Sequence, residues 1–314
     1  MKKAFLLGFL FFIIQTNFAQ IIRTKLPDTI TYWNKTNKVG LDISQITFIN
    51  WNAGGNNSIS GLLKGNFIRE YSKKTLNWKN ELIFRYGINK QEGQEVRKTD
   101  DQLQINSTIG FRKDTIANWF YGGKFNFNTQ FANGYSYPNT EYAISKPFAP
   151  AYIFLGIGAE YSRKDLNLNL YLSPLTQKTT LVLDERLANQ GAFGVDKAVI
   201  DEVTGEILQN GKRSRTEIGI LITNQWEKEV YKNINLEHRI SLYTDYLNNF
   251  GNIDVDWQLQ LNMTINEYVR ANIGTHIIYD DDIKAKEEID GEQVIVGPKM
   301  QLKQLLGVGL VYSF

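Results

Sequence analysis

Apolar and polar residues alternate at every second position along most of this chain, the pattern of strands whose two faces meet different surroundings. The clearest run is Leu76, Trp78, Leu82, Phe84, Tyr86 and Ile88, set against Asn77, Lys79, Glu81, Arg85 and Asn89. Ile253, Val255, Trp257, Leu259, Leu261, Met263 and Ile265 repeat it, with Asp254, Asp256, Gln258, Gln260, Asn262 and Thr264 between them. Similar runs cover Leu103 to Phe111, Trp119 to Phe131, Tyr152 to Tyr161, Leu166 to Leu172, Thr216 to Trp226, Ile234 to Tyr246 and Val269 to Tyr279. Two earlier stretches, Leu41 to Trp51 and Ile59 to Tyr71, read as strands of ambiguous facing. The chain closes on MQLKQLLGVGLVYSF, whose Leu302, Gln304, Leu306, Val308, Leu310, Tyr312 and Phe314 share one face. The pattern predicts roughly 12 strands.

A soluble sandwich alternates too, but it must cover or charge its edges. The connections argue for a barrel instead. Short ones (Ser72-Lys73-Lys74, Lys113-Asp114, Ser162 to Asp165, Glu229 to Tyr231, Asn266-Glu267) alternate with long ones. The long ones run from Asn89 to Asp100, Ala132 to Pro150, Ser173 to Arg213 and Asp280 to Lys299. Short periplasmic turns facing long outer loops, with an even strand count, describe an antiparallel up-and-down transmembrane β-barrel of the outer membrane. Aromatic residues gather at the strand ends: Trp78, Trp119, Tyr161 and Trp226 on the turn side, Trp51, Phe131 and Tyr279 on the loop side. Two such girdles mark the two water boundaries of a bilayer.

Lys2 and Lys3, the apolar run Ala4 to Ile14 and a small residue at Ala19 predict a signal peptide over residues 1–19. Residues 20–38 would form a periplasmic segment carrying an exposed Trp33, and residues 39–314 the barrel. With no cysteine, the chain has neither disulfide staples nor a lipid-anchored thiol. A net charge of +2 without a basic tract excludes nucleic acid as a natural partner. The mean hydropathy of −0.32 is compatible with a barrel, because alternating strands average out.

Inward-facing positions are the candidate lumen: Lys79, Glu81, Arg85, Glu237, Arg239, Asp254 and Asp256. Acidic residues gather at the predicted outer mouth, with Asp245, Asp254, Asp256, Asp280, Asp281 and Asp282 near strand ends. Such carboxylates suit a hard cation such as Ca2+. A solvated acidic rim is the plainer reading, because the calcium-loop spacing is absent. A lipid hydrolase would want a serine two positions from a histidine, so that both project together. Neither His238 nor His276 has one. His238 falls on the lipid-facing side of its strand, where a neutral imidazole is tolerable and a bulge or a partner protein would explain it as well. Gly156 and Gly158 read as barrel bends. Gly54 and Gly55 permit a tight turn. The Gly191 to Asp196 stretch, with Phe193 inside it, is expected to fold back onto or into the barrel, since a freely waving loop would keep Phe193 in water.

In their order, several loop sequences resemble the family called domain of unknown function 3078 (DUF3078), an outer-membrane family of Bacteroidota. The segments are Asn50 to Ser58 (including Trp51, Gly54 and Gly55), Arg97 to Asp101, Thr129-Gln130-Phe131, Gly134-Tyr135, Ser145, and Phe148 to Tyr152. Leu172 to Leu175, Asp184, Gly191 to Asp196 (with Phe193 and Gly194) and Tyr279 to Asp282 complete the set. The resemblance implies location and architecture and carries no catalytic residues. The expectation is a non-enzymatic, narrow channel for small solutes, gated by the Ser173 to Arg213 loop. The alternatives are a non-transporting accessory subunit docked on an envelope partner, and an outer-leaflet lipid hydrolase. Expected partners are outer-membrane lipid and, through the strand ending at Phe314, the barrel-assembly machinery.

Overall fold

Twelve antiparallel strands close into one barrel in the computed structural model, which describes residues 31–47, 56–248, 250–289 and 292–314. They are β1 (Trp33–Ile46), β2 (Ser58–Lys73), β3 (Leu76–Gln91), β4 (Arg97–Phe111), β5 (Trp119–Thr129) and β6 (Ala151–Arg163). The second half comprises β7 (Leu168–Leu181), β8 (Ser214–Tyr231), β9 (Ile234–Asp245), β10 (Asp254–Thr264), β11 (Val269–Tyr279) and β12 (Gln301–Ser313). Each strand pairs with its neighbours in sequence, and β12 returns to β1. Closure leaves no sheet edge, so the backbone groups of the wall find partners within the wall itself.

The distribution of side chains is inverted relative to a soluble protein. Leu41, Ile43, Leu63, Ile157, Leu175, Leu306 and Leu310 are exposed, while Asp42, Glu81, Lys178, Glu217 and Asp245 are buried. Leu306 is 76% exposed and Lys178 only 4%. An apolar outside around a charged inside needs an apolar solvent, and this chain is an outer-membrane β-barrel. Within the described residues no helix is long and apolar enough to cross a membrane; the strands do the crossing.

Several boundaries differ from the pattern-based ones, for physical reasons. β1 starts at Trp33, so Trp33 to Lys38 belong to the wall rather than to a preceding segment. Lys35 and Asn37 break the apolar alternation there and hid the strand. β7 continues through Leu181, so Ser173 to Leu181 is also wall, and the loop proper is 182–213. Here the outward positions Gln177 and Thr179 are polar, which erases the period. β4 starts at Arg97, which shortens the third connection to 92–96. The signal peptide, Trp51, Gly54 and Gly55 lie outside the described residues.

Glycines serve where backbones approach. The register shifts beside Gly158, between Ile157 and Ala159, and a Cβ there would lie 2.1 Å from the Leu172 carbonyl oxygen. At the closing seam, Lys38 to Asp42 of β1 pair with Gly309 to Ser313 of β12. A Cβ on Gly309 would come within 2.2 Å of Asp42 Oδ1 and 2.4 Å of the Leu41 carbonyl oxygen. The carbonyl cannot rotate away without breaking the seam. Gly309→Val should therefore weaken closure by roughly 1–3 kcal/mol, the usual cost of overpacking. A lowered urea midpoint and loss of the heat-modifiable folded band on cold gels, with Gly61→Val unaffected because Gly61 faces open space, would show it.

Candidate functional site

Inward side chains of twelve strands share one narrow interior, and their charges meet across it. At mid-barrel, Glu81 of β3 accepts from Asn66 Nδ2 (2.8 Å) and Asn106 Nδ2 (3.2 Å). From the far wall, Arg239 Nη1 of β9 lies 3.5 Å from Glu81, and Arg239 Nε bonds Glu237 at 2.6 Å. Lys124 of β5 crosses to Thr223 of β8 (2.9 Å) with its ammonium over the Tyr171 ring. Near the turn end, Lys164 spans to Glu70 (2.8 Å). Towards the loop end, Asp100 of β4 is held between Arg85 (2.6 Å) and Lys303 of β12 (2.7 Å). An uncompensated charge in such a place costs several kcal/mol, so the interior balances sign against sign locally.

The structure thus brings Glu81, Glu237 and Arg239 into one network and gives Arg85 a partner in Asp100. Lys79 falls on the same face as Glu81, two residues away. Asp256 is paired with His276 (Oδ1 to Nε2, 2.9 Å) rather than with the acidic mouth. His238 keeps its lipid-facing position inside an aromatic sandwich. It stacks on Trp226 (5.4 Å between centroids, 15° between planes) and lies 6.3 Å from Trp257. Neither histidine pairs with a hydroxyl among the described residues.

The outer mouth is where the charge is densest. Lys178 Nζ lies 2.5 Å from Asp254, 3.3 Å from Asp280 and 3.6 Å from Glu217. Arg215 pairs with Glu217 (2.8 Å) and Asp282 (2.9 Å). Asp245 is held by Asn248 (2.6 Å) and Asp281 by Asn252 (2.7 Å). Between these groups lies a cavity of ≈ 10 Å³, lined by Glu217, Tyr243, Asp245, Asp254, Asp281 and Asp282 among others. It is about the size of one water. Carboxylate oxygens of Asp254, Asp280 and Asp281 lie within 4.8 Å of one another, a spacing that fits a hard cation. The Lys178 ammonium, however, already supplies positive charge to two of the three.

Over this mouth folds the 182–213 loop. Its short helix α1 (Glu185–Asn189) is capped by Asp184, which accepts from the Leu187 N–H at 3.0 Å. Asp184 also bonds Lys146 of the preceding long loop at 2.6 Å. Burial alone would raise the Asp184 pKa. The Lys146 ammonium and the Leu187 N–H outweigh it and hold the carboxyl below the ordinary aspartate range. Val182, Leu187, Ala188 and Val195 form an apolar cluster with Ala149, against which Phe193 packs. Gly191, Phe193 and Gly194 all take left-handed backbone angles (φ 67°, 58° and 82°), which turns the chain sharply. The Gly194 carbonyl accepts from Arg215 Nη1 at 3.1 Å, tying the loop to the wall beside the charged mouth.

Lys178, Glu217, Lys124 and Arg215 were invisible in the sequence as site residues. Lys178 lies in the stretch that reads as loop, which also hides its pairing with Glu217 opposite it, while Lys124 and Arg215 reach Thr223 and Asp282 far along the chain.

Among solved structures, the chain is similar to the COG4313 outer membrane channel from Pseudomonas putida F1, with 10% identity over 91% of this chain and 99% of that one (TM-score 0.39). It is also similar to the translocator domain of autotransporter NalP from Neisseria meningitidis, with 10% identity over 92% and 91% (TM-score 0.36). Outer membrane phospholipase A from Escherichia coli shares 11% identity over 91% and 93% (TM-score 0.28). The names span a channel, a translocator and a phospholipase, so the likeness concerns barrel form and selects no activity. No curated protein matches the chain. Residues 43–135, from β1 to the long loop after β5, match the family model described as a protein of unknown function (DUF3078).

Proposed function

We propose that this barrel is a narrow pore for small solutes, with a preference for cations, gated by the 182–213 loop. The observation that carries the reading is the column of paired charges along the barrel axis. It runs from Lys164–Glu70 through Glu81–Arg239 and Asp100–Lys303 to the Lys178 cluster. A barrel needed only as a wall is served as well by an apolar interior, which avoids the desolvation of so many ions. Paired charges that can exchange partners offer a passing ion successive substitutes for water. At the mouth, six carboxylates (Glu217, Asp245, Asp254, Asp280, Asp281, Asp282) face Lys178 and Arg215, an excess that concentrates cations. The channel role is non-enzymatic.

The same pairs, closed as they stand, favour a second reading: a non-transporting accessory subunit with a filled lumen. Single-channel recording in planar bilayers separates the two. The channel reading expects discrete cation-selective conductance that grows when residues 185–210 are deleted. Silence from both forms would leave the accessory reading.

Two side chains test the gate. The Asp184 pKa is lowered in the folded state, so its docking contribution is present above the unfolded value of about 3.9 and lost as pH falls through the lower folded value. Open probability should therefore rise on acidification below about pH 4. Asp184→Ala should raise it already at neutral pH, by about fivefold for a lost helix cap of ~1 kcal/mol. Replacing Lys178 with Met leaves Glu217, Asp254 and Asp280 facing one another without their shared cation. A loss of about 3 kcal/mol in urea unfolding is expected, as for other broken buried pairs. Calcium should restore part of it, since it can take the place of the ammonium among Asp254, Asp280 and Asp281. No response to calcium would remove the cation site from consideration.

A further inference from the structure

The lipid-facing surface carries two cations where neither charge nor neighbours explain them. Lys35 of β1 and Arg69 of β2 are directly opposite one another in the register, and both point outward. Arg69 is in turn opposite Asn80 of β3. Like charges directly opposite across a strand pair are destabilising. Neither side chain forms an ion pair with any described residue. The main-chain oxygen of Phe314 lies one strand over and is taken up by Asn37 Nδ2 at 2.8 Å.

The surroundings select what would. Trp33, Lys35, Arg69, Trp78 and Asn80 line an open cleft of ≈ 510 Å³, with no carboxylate among them. Lys35, Arg69 and Asn80 bring donor groups to it. Arg69 Nη1 bonds the Ile68 carbonyl (2.7 Å), which leaves its Nη2 and Nε uncommitted. The Asn80 oxygen is occupied by Ser107 Oγ (2.8 Å), so its amide N–H groups remain. The Lys35 ammonium is exposed. On the turn side the next row is aromatic: Trp33 lies 5.3 Å from Tyr71 and 5.8 Å from Trp78. Trp78 is fixed by its Nε1 bond to Ser107 (3.0 Å). An aromatic row of this kind sits at headgroup level. The donors lie one row closer to the hydrocarbon, about 7 Å along the strand.

We infer that this cleft binds the phosphate of an anionic phospholipid in the leaflet at the turn end of the barrel. Lys35, Arg69 and Asn80 supply the donors, and Trp33 and Trp78 flank the headgroup. A phosphate bridging the two cations turns their repulsion into mutual attraction to one anion. A zwitterionic lipid brings its own cation to the same place and gains less. Snorkelling alone would carry each cation towards water separately. It would not leave three donor groups converging on a cleft without an acceptor.

The test is native mass spectrometry of the full barrel released from nanodiscs of phosphatidylcholine containing phosphatidylglycerol. Wild type is compared with Lys35→Gln/Arg69→Gln, and folding is checked by heat-modifiable gel mobility. Wild type should retain phosphatidylglycerol about thirtyfold more strongly than the double variant, from two cations at about 1 kcal/mol each. A second variant, Lys38→Gln, alters a cation on the lumen side of β1 and should leave retention unchanged. Equal retention by wild type and the double variant would overturn the inference and return the cations to water. Displacement of the lipid by inorganic phosphate would also overturn it, by making the cleft a site for free anions.

Discussion

Lipid on the outside is the constraint from which the rest of this structure follows. A hydrocarbon solvent cannot bond a peptide group, so every strand of the wall must have two neighbours, and the sheet must close. Closure at twelve strands leaves a narrow interior. The alternation that presents leucine to lipid then forces every second residue, polar or charged, into that interior. The ion pairs of the lumen are thus the physical consequence of the same alternation that makes the outside apolar. Some partners sit on the same or a neighbouring strand, as Arg239 with Glu237 and Arg85 with Asp100, and others reach across from the opposite wall, as Glu81 with Arg239.

This explains which parts were legible in the sequence. Where one face meets lipid and the other water or charge, the period is clean: β3 and β10 could be read residue by residue, along with the direction each side chain takes. Where a strand leaves the hydrocarbon the period fades, and the strand is read as loop. Gln177 and Thr179 at the end of β7 show this; at the start of β1 the period is broken instead by Lys35 and Asn37, outward-facing polar residues just inside the aromatic row. Facing could be read, but partnering could not. That Lys124 meets Thr223, 99 residues away, depends on the barrel's closure and shear, which no local pattern encodes. His238 illustrates the same limit. Its lipid-facing position was readable, but its acceptance there depends on Trp226 and Trp257 from the two neighbouring strands.

The lumen and the outer mouth use charge in different ways. At mid-barrel, one or two partners satisfy each ion, and the arrangement is close to neutral. At the mouth, Lys178 and Arg215 serve a larger number of carboxylates, and side-chain amides from Asn248 and Asn252 do part of the work. A near-neutral interior thus lies under an acidic rim. The loop stands over that rim, with Arg215 shared between loop carbonyl and wall carboxylates. Movement of the loop therefore has to redistribute charge at the mouth.

That sharing also bears on how far the family match reaches. Residues 43–135 include the Arg85–Asp100 pair whole and, of the pairs that cross the barrel at Glu81 and Asp100, only those two carboxylates. Their partners Arg239 and Lys303, and every ionised group of the mouth cluster, lie beyond the matched segment. Half of an ion pair does not determine the other half, because a carboxylate at Glu81 is satisfied by any cation the opposite wall can extend. What the matched segment constrains is the sign of charge that the remaining strands must bring inward. The mouth, built wholly from β7 to β11 and the connections around them, is under no such constraint, because its ion pairs close among residues of that half alone.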